Sequence, residues 1–198
     1  DNTCGSTLAD DECGVCDGDG STCTASISLG SFDSSGSLEV LYDFGSASTG
    51  FQFDVTGLAL TGAADGAASD AGFTVSTGGA TVLGFSFTGA TIPAGSGVLT
   101  VLSFSDVTDS TTELSFNMGA ITDASGNPFV NQSASGSIDH GAPDCAGTFY
   151  GDSSLDDCGV CDGGNADDLG CGCFEAGPSG CDNTCGSTLE DDECGVCG

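Results

Sequence analysis

Phe51-Gln52-Phe53-Asp54-Val55-Thr56 alternates apolar and polar residues without a break. A period of two is the period of a strand. It places Phe51, Phe53 and Val55 on one face and leaves Gln52, Asp54 and Thr56 facing water. The same alternation recurs at residues 38–44, 73–76, 83–87, 98–104 and 114–118. Turn-forming clusters separate these runs, at 34–36, 62–69, 77–79, 93–97 and 123–128. No helical apolar period extends beyond about two turns. Roughly nine short strands are expected over 24–140, which predicts an all-β fold of two antiparallel sheets packed face to face. About 115 residues suffice for one hydrophobic core.

Outward from this stretch the composition changes. Residues 1–23 and 141–198 are rich in Cys, Asp and Gly and too polar to build a core, so crosslinks or metals must hold them. Residues 182–198 read DNTCGSTLEDDECGVCG and residues 1–17 read DNTCGSTLADDECGVCD. The two differ only at Ala9 against Glu190 and Asp17 against Gly198. A sequence that returns to its own beginning is the mark of a repeat array. The reading is therefore a Cys/Asp-rich linker (1–23), a β-sandwich (24–140), a second linker (141–181) and the start of the next repeat (182–198).

The chain has 30 acidic residues, no Lys or Arg, one His and a formal charge of −30. No carboxylate has a basic side chain to pair with, so the compact state repels itself. Bound cations are the obvious remedy, and hard oxygen ligands favour Ca2+. Nucleic acid is excluded as a partner because phosphate neutralisation requires Lys or Arg. No apolar run reaches the ~18 residues of a membrane span, so no membrane insertion is expected.

Thirteen Cys point to an oxidising, secreted or cell-surface setting. Taken in order they pair as 4–13, 16–23, 145–158, 161–171, 173–181 and 185–194. This makes Cys4, Cys13, Cys16, Cys23, Cys145, Cys158, Cys161, Cys171, Cys173, Cys181, Cys185 and Cys194 the candidate disulfide residues. The partner of Cys197 would be the next copy of Cys23, at position 204. An interlaced pattern, 4–16 with 13–23, stays open because sequence does not fix connectivity. Zinc bound by the C-x2-C pairs is the rival reading.

Candidate metal ligands are Asp10, Asp11, Asp17, Asp19, Asp156, Asp157, Asp162, Asp167, Asp168, Asp191 and Asp192. Asp17-Gly18-Asp19-Gly20 sets two carboxylates on a flexible loop, without the bidentate Glu of an EF-hand. The rival reading is of solvated acids that keep a linker soluble. No enzyme is expected. His140 stands without an indicated Ser or Cys partner, and no phosphate-loop motif occurs. Asn131-Gln132-Ser133 is a glycosylation sequon.

Residues 38–42 (Leu-Glu-Val-Leu-Tyr), 50–55 (Gly-Phe-Gln-Phe-Asp-Val) and 97–104 (Gly-Val-Leu-Thr-Val-Leu-Ser-Phe) resemble strands of cohesin-type domains. Ile121-Thr122-Asp123-Ala124-Ser125-Gly126-Asn127-Pro128 resembles the cohesin D-x-x-G-N-P turn before the last strand. The resemblance implies a nine-stranded jelly-roll sandwich and a docking module for a small calcium-binding partner domain. The phrase D-[DE]-C-G-V-C-x-G, at 11–18 and 156–163, resembles secreted cysteine-rich modules near thrombospondin-type calcium-binding repeats. Together these resemblances imply a repeat unit of a bacterial or archaeal surface or filament protein.

Two functions are therefore expected. The first is a structural repeat unit of an extracellular filament or long surface fibre, in which rigid sandwiches are joined by disulfide-crosslinked, Ca2+-binding linkers and neighbouring copies are the partners. The alternative is a cohesin-type scaffold or adhesin module that binds a partner domain or a glycan.

Overall fold

The computed structural model describes residues 9–198. The chain divides into two compact units, Asp1–Gly141 and Ala142–Gly198.

The first unit is an all-β sandwich. Its strands among the described residues are β1 (Thr24–Asp33), β2 (Ser37–Phe44), β3 (Ser48–Thr56), β4 (Leu58–Ala64), β5 (Thr74–Gly78), β6 (Thr81–Phe85), β7 (Gly95–Val107), β8 (Thr111–Ser115), β9 (Ile121–Asp123), β10 (Asn131–Ser135) and β11 (Ser137–Asp139). One sheet runs β10-β1-β2-β7-β4, and the other runs β11-β8-β3-β6-β5 with β9 also on β3. Only the β1–β10 pairing is parallel.

The alternating runs form strands because alternation lets both sheets bury one face. Ile27, Leu38, Val40 and Phe44 are buried from one sheet, and Phe51, Phe53, Val55 and Val82 from the other. Phe51 stacks on Phe73 with ring centroids 6.2 Å apart, and Gly84 leaves the space that the Phe51 ring occupies. A register shift in the β2–β7 pairing buries two consecutive residues of β7, Leu99 and Thr100. A bulge of this kind is how one strand turns two neighbours inward. The Thr100 hydroxyl is then satisfied by the carbonyl of Ala64, 3.1 Å away.

The structure departs from expectation in three places. There are more strands than the nine expected, because three-residue β9 and β11 are too short to show alternation. Residues 62–69 are not one turn: β4 continues through Gly62 to Ala64, held by its ladder to β7, and a short helix, α1 (Gly66–Asp70), follows. Asp54 is half-buried where the period puts it in water. Its carboxylate accepts hydrogen bonds from the Thr81 hydroxyl (2.7 Å) and the Asn117 amide (2.8 Å).

The second unit carries only two short paired strands, β12 (Pro178–Ser179) and β13 (Thr184–Cys185). No helix among the described residues is long and apolar enough to cross a membrane.

His140 is buried where the chain leaves the sandwich. It is 7% exposed, its Nε2 lies 2.8 Å from the Thr112 hydroxyl, and its ring packs 5.0 Å from that of Phe32. Burial holds its pKa below the ordinary 6.5, against a smaller opposing pull from the Asp139 charge. The unfolded chain therefore binds this proton more readily than the folded one. The contribution of His140 to stability is complete above the unfolded value and declines as pH falls below it. With no other His in the chain, the thermal midpoint is expected to fall between pH 7.5 and 5.5, and His140→Gln should flatten that slope. An unchanged slope in the variant would show that another group is responsible.

Candidate functional site

The most distinctive construction in this molecule is a turn built around an aspartate. Asp11, Asp123, Asp144, Asp156 and Asp192 share it. In each, the Asp amide donates to the carbonyl four residues on (Val15, Asn127, Thr148, Val160 and Val196), at 2.7–3.0 Å. The amide three residues on, always a Gly, donates back to the Asp carbonyl at 2.9–3.0 Å. Those glycines, Gly14, Gly126, Gly147, Gly159 and Gly195, have φ of 74–86°. This is a type I turn closed by a left-handed residue, where Gly is favoured because it has no Cβ to strain.

The side chain locks the turn. One Asp oxygen, Oδ1, accepts the amides at the second and fourth following positions. These are Cys13 and Val15 for Asp11, Ser125 and Asn127 for Asp123, Ala146 and Thr148 for Asp144, Cys158 and Val160 for Asp156, and Cys194 and Val196 for Asp192, at 2.8–3.0 Å. In Asp11, Asp144 and Asp156 the second oxygen reaches the amide nine residues on: Gly20, Ser153 and Asn165, at 2.9–3.1 Å. A second glycine, Gly18, Gly151 or Gly163, passes directly over the carboxylate, where an added Cβ would overlap it. One charged group thus organises ten residues, and hydrogen bonds to a carboxylate are the strong kind. Backbone amides, first of all those of Val15, Thr148 and Val160, hold the Asp11, Asp144 and Asp156 carboxyls below their ordinary pKa.

The disulfides follow from these turns. Observed pairs are Cys13–Cys23, Cys145–Cys161, Cys158–Cys173, Cys171–Cys185 and Cys181–Cys197, with Cα separations of 5.2–5.6 Å. Cys16 is also disulfide-bonded, Cys194 is a free exposed thiol, and Cys4 lies outside the described residues. The in-order pairing is therefore overturned and the interlaced kind prevails. A Cys two residues after the turn Asp bonds forward in the chain (Cys13, Cys158). A Cys five residues after it bonds backward (Cys161, Cys197). In the Cys158/Cys161 pair the two neighbours leave the turn in opposite directions, so they neither share a zinc ion nor close successive loops. Cys197, left for a later partner by the in-order reading, is bonded to Cys181.

Between Cys145 and Cys197 each closed loop overlaps the next, so no residue there lies outside a loop. A loop of about 15 residues contributes about 3 kcal/mol by restricting the unfolded chain. Overlap also removes the hinge that would separate loops set end to end.

The candidate metal ligands divide accordingly. Asp11, Asp156 and Asp192 hold backbone turns. Asp168 accepts the amides of Gly170 and Gly172, Asp162 that of Ser154 and Asp19 that of Ser21, while Asp157 accepts the side-chain amide of Asn165. Asp10, Asp17, Asp167 and Asp191 are exposed. Asp162 lies beside Cys145 and Cys161, and Asp191 beside Cys181 and Cys197. Both sulfur pairs are disulfides and offer no thiolate. Asn131, in the sequon, is exposed on β10 and donates its side-chain amide to the Glu12 carboxylate at 2.8 Å. The turns at Asp123 and Asp144 were missed as members of this set. Their only sequence signal is D-x-x-G, since neither carries the C-x2-C phrase.

Asp156→Ala is expected to accelerate amide hydrogen exchange at Cys158, Val160 and Asn165, whereas Asp167→Ala should leave those amides unchanged. In the unaltered chain the same loss should come with acid. A carboxyl with a lowered folded pKa stabilises above its unfolded value, and that contribution is lost as pH falls through the folded one. Protection at these amides should therefore hold at pH 5 and fail below the ordinary 3.8. Equal exchange in both variants would refute the role of the carboxylate.

No protein-family model and no curated protein matches the sequence. Among solved structures, the chain is similar to a non-cellulosomal cohesin from the hyperthermophilic archaeon Archaeoglobus fulgidus, at 18% identity and TM-score 0.44, over 59% of this chain and 90% of that one. It is also similar to CaCohA2 from Clostridium acetobutylicum, at 14% identity and TM-score 0.38, over 59% and 90%. A third similar structure is a type III cohesin from a cell-surface anchoring scaffoldin of Ruminococcus flavefaciens, at 15% identity and TM-score 0.38, over 59% and 86%. The fold is an all-β sandwich accompanied by disulfide-rich segments.

Proposed function

We propose that this chain is a structural repeat unit of an extracellular filament or long surface fibre, in which β-sandwiches are joined by stiffened linkers. The single observation that carries the reading is the linker itself. Three aspartate turns, at Asp144, Asp156 and Asp192, and overlapping disulfides leave residues 145–197 without a hinge, and the chain's residues 182–198 repeat its residues 1–17 with two differences. A linker meant to let domains reach would be Gly/Ser-flexible and uncrosslinked. Disulfides of this density belong to an oxidising compartment. Ca2+ is proposed as the counter-ion of exposed carboxylates such as Asp10, Asp17, Asp167 and Asp191, because no Lys or Arg offsets the −30 charge.

Electron microscopy of native extracellular material tests the reading. Beads at regular spacing are expected, with the spacing becoming irregular on reduction and the fibre softening on calcium chelation. Isolated single sandwiches would defeat the fibre reading, and unchanged stiffness after chelation would defeat the role of calcium.

A second reading, recognition of a partner domain, is favoured by one face of the sandwich. Leu83 on β6 pairs with Gln52 on β3 and is 40% exposed. Beside Gln52 runs the 116–120 loop, where Met118 is 91% exposed, and Phe87 beyond β6 is 82% exposed. Large apolar side chains left in water mark contact surfaces more often than isolated ones do. If a partner sits here, Met118→Asp with Leu83→Asp should abolish its co-purification from native material at unchanged thermal midpoint. Retention of the partner would remove this face from consideration.

A further inference from the structure

Asn131-Gln132-Ser133 is the only Asn-x-Ser/Thr triplet in the chain, and the structure places it on β10, an edge strand of its sheet. The strand alternates: Asn131, Ser133 and Ser135 are exposed, while Gln132 and Ala134 are half-buried. Gln132 fixes which way the triplet faces. Its Oε1 accepts the Ile121 amide at 2.6 Å, and its Nε2 donates to the Phe129 carbonyl at 2.9 Å. With Gln132 tied to β9 of the facing sheet, a period of two turns Asn131 and Ser133 outward together. The amide and the hydroxyl that an Asn-x-Ser acceptor requires thus share one exposed face.

A hollow opens beside them. The register sets Thr24 opposite Asn131 and Ser26 opposite Ser133, and on the other side of β1 it sets Asp43 opposite Ser26. These five residues line a cavity of about 360 Å3, within the ~300–1,000 Å3 of small-molecule sites. Its walls carry hydroxyls, amides and a carboxylate, and no aromatic ring. Such walls match a saccharide, whose hydroxyls both donate and accept. With no ring to stack on, they hold a free sugar only weakly. A sugar tethered to Asn131 is already present at a high effective concentration, so weak contacts are enough to seat it.

We propose that Asn131 is N-glycosylated and that its first sugar seats in this hollow, over Thr24, Ser26 and Asp43. The co-reactant is a glycosyl pyrophosphate donor. Its anomeric carbon–oxygen bond breaks, and the electron pair leaves with the pyrophosphate. The Asn131 Nδ2 forms the new bond to the anomeric carbon and gives up one of its two protons to solvent. The remaining Nδ2 hydrogen keeps the contact to Glu12 Oε2, 2.8 Å away. Glu12 follows the turn aspartate Asp11, so the glycan stands where the first Cys/Asp-rich segment meets the sandwich.

The glycan also guards an edge. An open strand edge invites pairing with another chain, and proteins commonly block it with Lys, other charges or Pro. This chain has no Lys, and β10 carries neither a charge nor Pro. A sugar on Asn131 covers the flank of β10 by bulk instead. The assignment holds whether the chain builds a fibre or docks a partner. It needs only passage through an oxidising compartment, which the disulfides indicate.

Protein purified from its native source provides the test. Cut at Asp and Glu, since trypsin has no site in a chain lacking Lys and Arg, it yields the peptide 124–139 with Asn131 inside it. Electron-transfer fragmentation should place a saccharide mass on Asn131. Expressed in the same host, Ser133→Ala should lose that mass completely and Ser133→Thr should keep it. Both should leave the β-sheet circular dichroism unchanged, because Ser133 is exposed. In the isotope-labelled glycoprotein, nuclear Overhauser contacts should run from the first sugar to Thr24 or Ser26. An unmodified peptide 124–139 from native material overturns the proposal. So does a saccharide found only on Ser133 or Ser135, or one that persists on Asn131 in Ser133→Ala. A glycan on Asn131 without contacts to Thr24 or Ser26 overturns its seat in the hollow.

Discussion

A carboxylate accepting backbone amides is the interaction on which the non-sandwich part of this protein depends. In a chain without Lys or Arg, an Asp has no cation to face. The strongest donors left to it are the amides of its own turn, and Asp11, Asp144 and Asp156 each gather three of them. The charge that opposes compaction across the molecule becomes locally the reason that a polar segment has a definite shape. The glycines follow from the same geometry: one sits where φ is positive, and another where any Cβ would meet the carboxylate.

Once the turn is set, sulfur chemistry is directed. Cys158 and Cys161 diverge, one forward and one backward, and the bonds between Cys145 and Cys197 interlace instead of closing separate loops. The Cys145–Cys161 and Cys181–Cys197 staples constrain the chain on both sides of a turn aspartate, Asp156 and Asp192. A short polar segment cannot bury enough apolar area to order itself. Here amide–carboxylate bonds and crosslinks take the place of a core.

The sandwich obeys the ordinary logic of two faces. Phe51, Phe53 and Val55 are buried from one sheet and Ile27, Val40 and Phe44 from the other, and the one imidazole is buried against Thr112. Its outer face is less ordinary, because Leu83, Phe87 and Met118 remain exposed to water. The D-x-x-G turn at Asp123 repeats the linker's construction inside the sandwich, so the same local device serves both units.

The period-two runs at 38–44, 51–56 and 98–104 made the all-β class legible, because alternation is a local property and one buried face is enough to enforce it. The returning 17-residue phrase and the absence of basic residues were equally plain, since both are counts. Sheet order, the bulge that buries Leu99 and Thr100 together, the strand at 62–64 and the Asp54–Asn117 contact were decided by tertiary structure. Each depends on which strand lies alongside, and residues distant in the chain set that. Disulfide connectivity belongs with them. Nearest-neighbour spacing favours Cys145 with Cys158, but the turn at Asp156 points Cys158 toward Cys173 and Cys161 back to Cys145. Sequence supplies the distance between sulfurs along the chain, whereas a bond requires their approach in space, and that is fixed only once the carboxylate has gathered its amides.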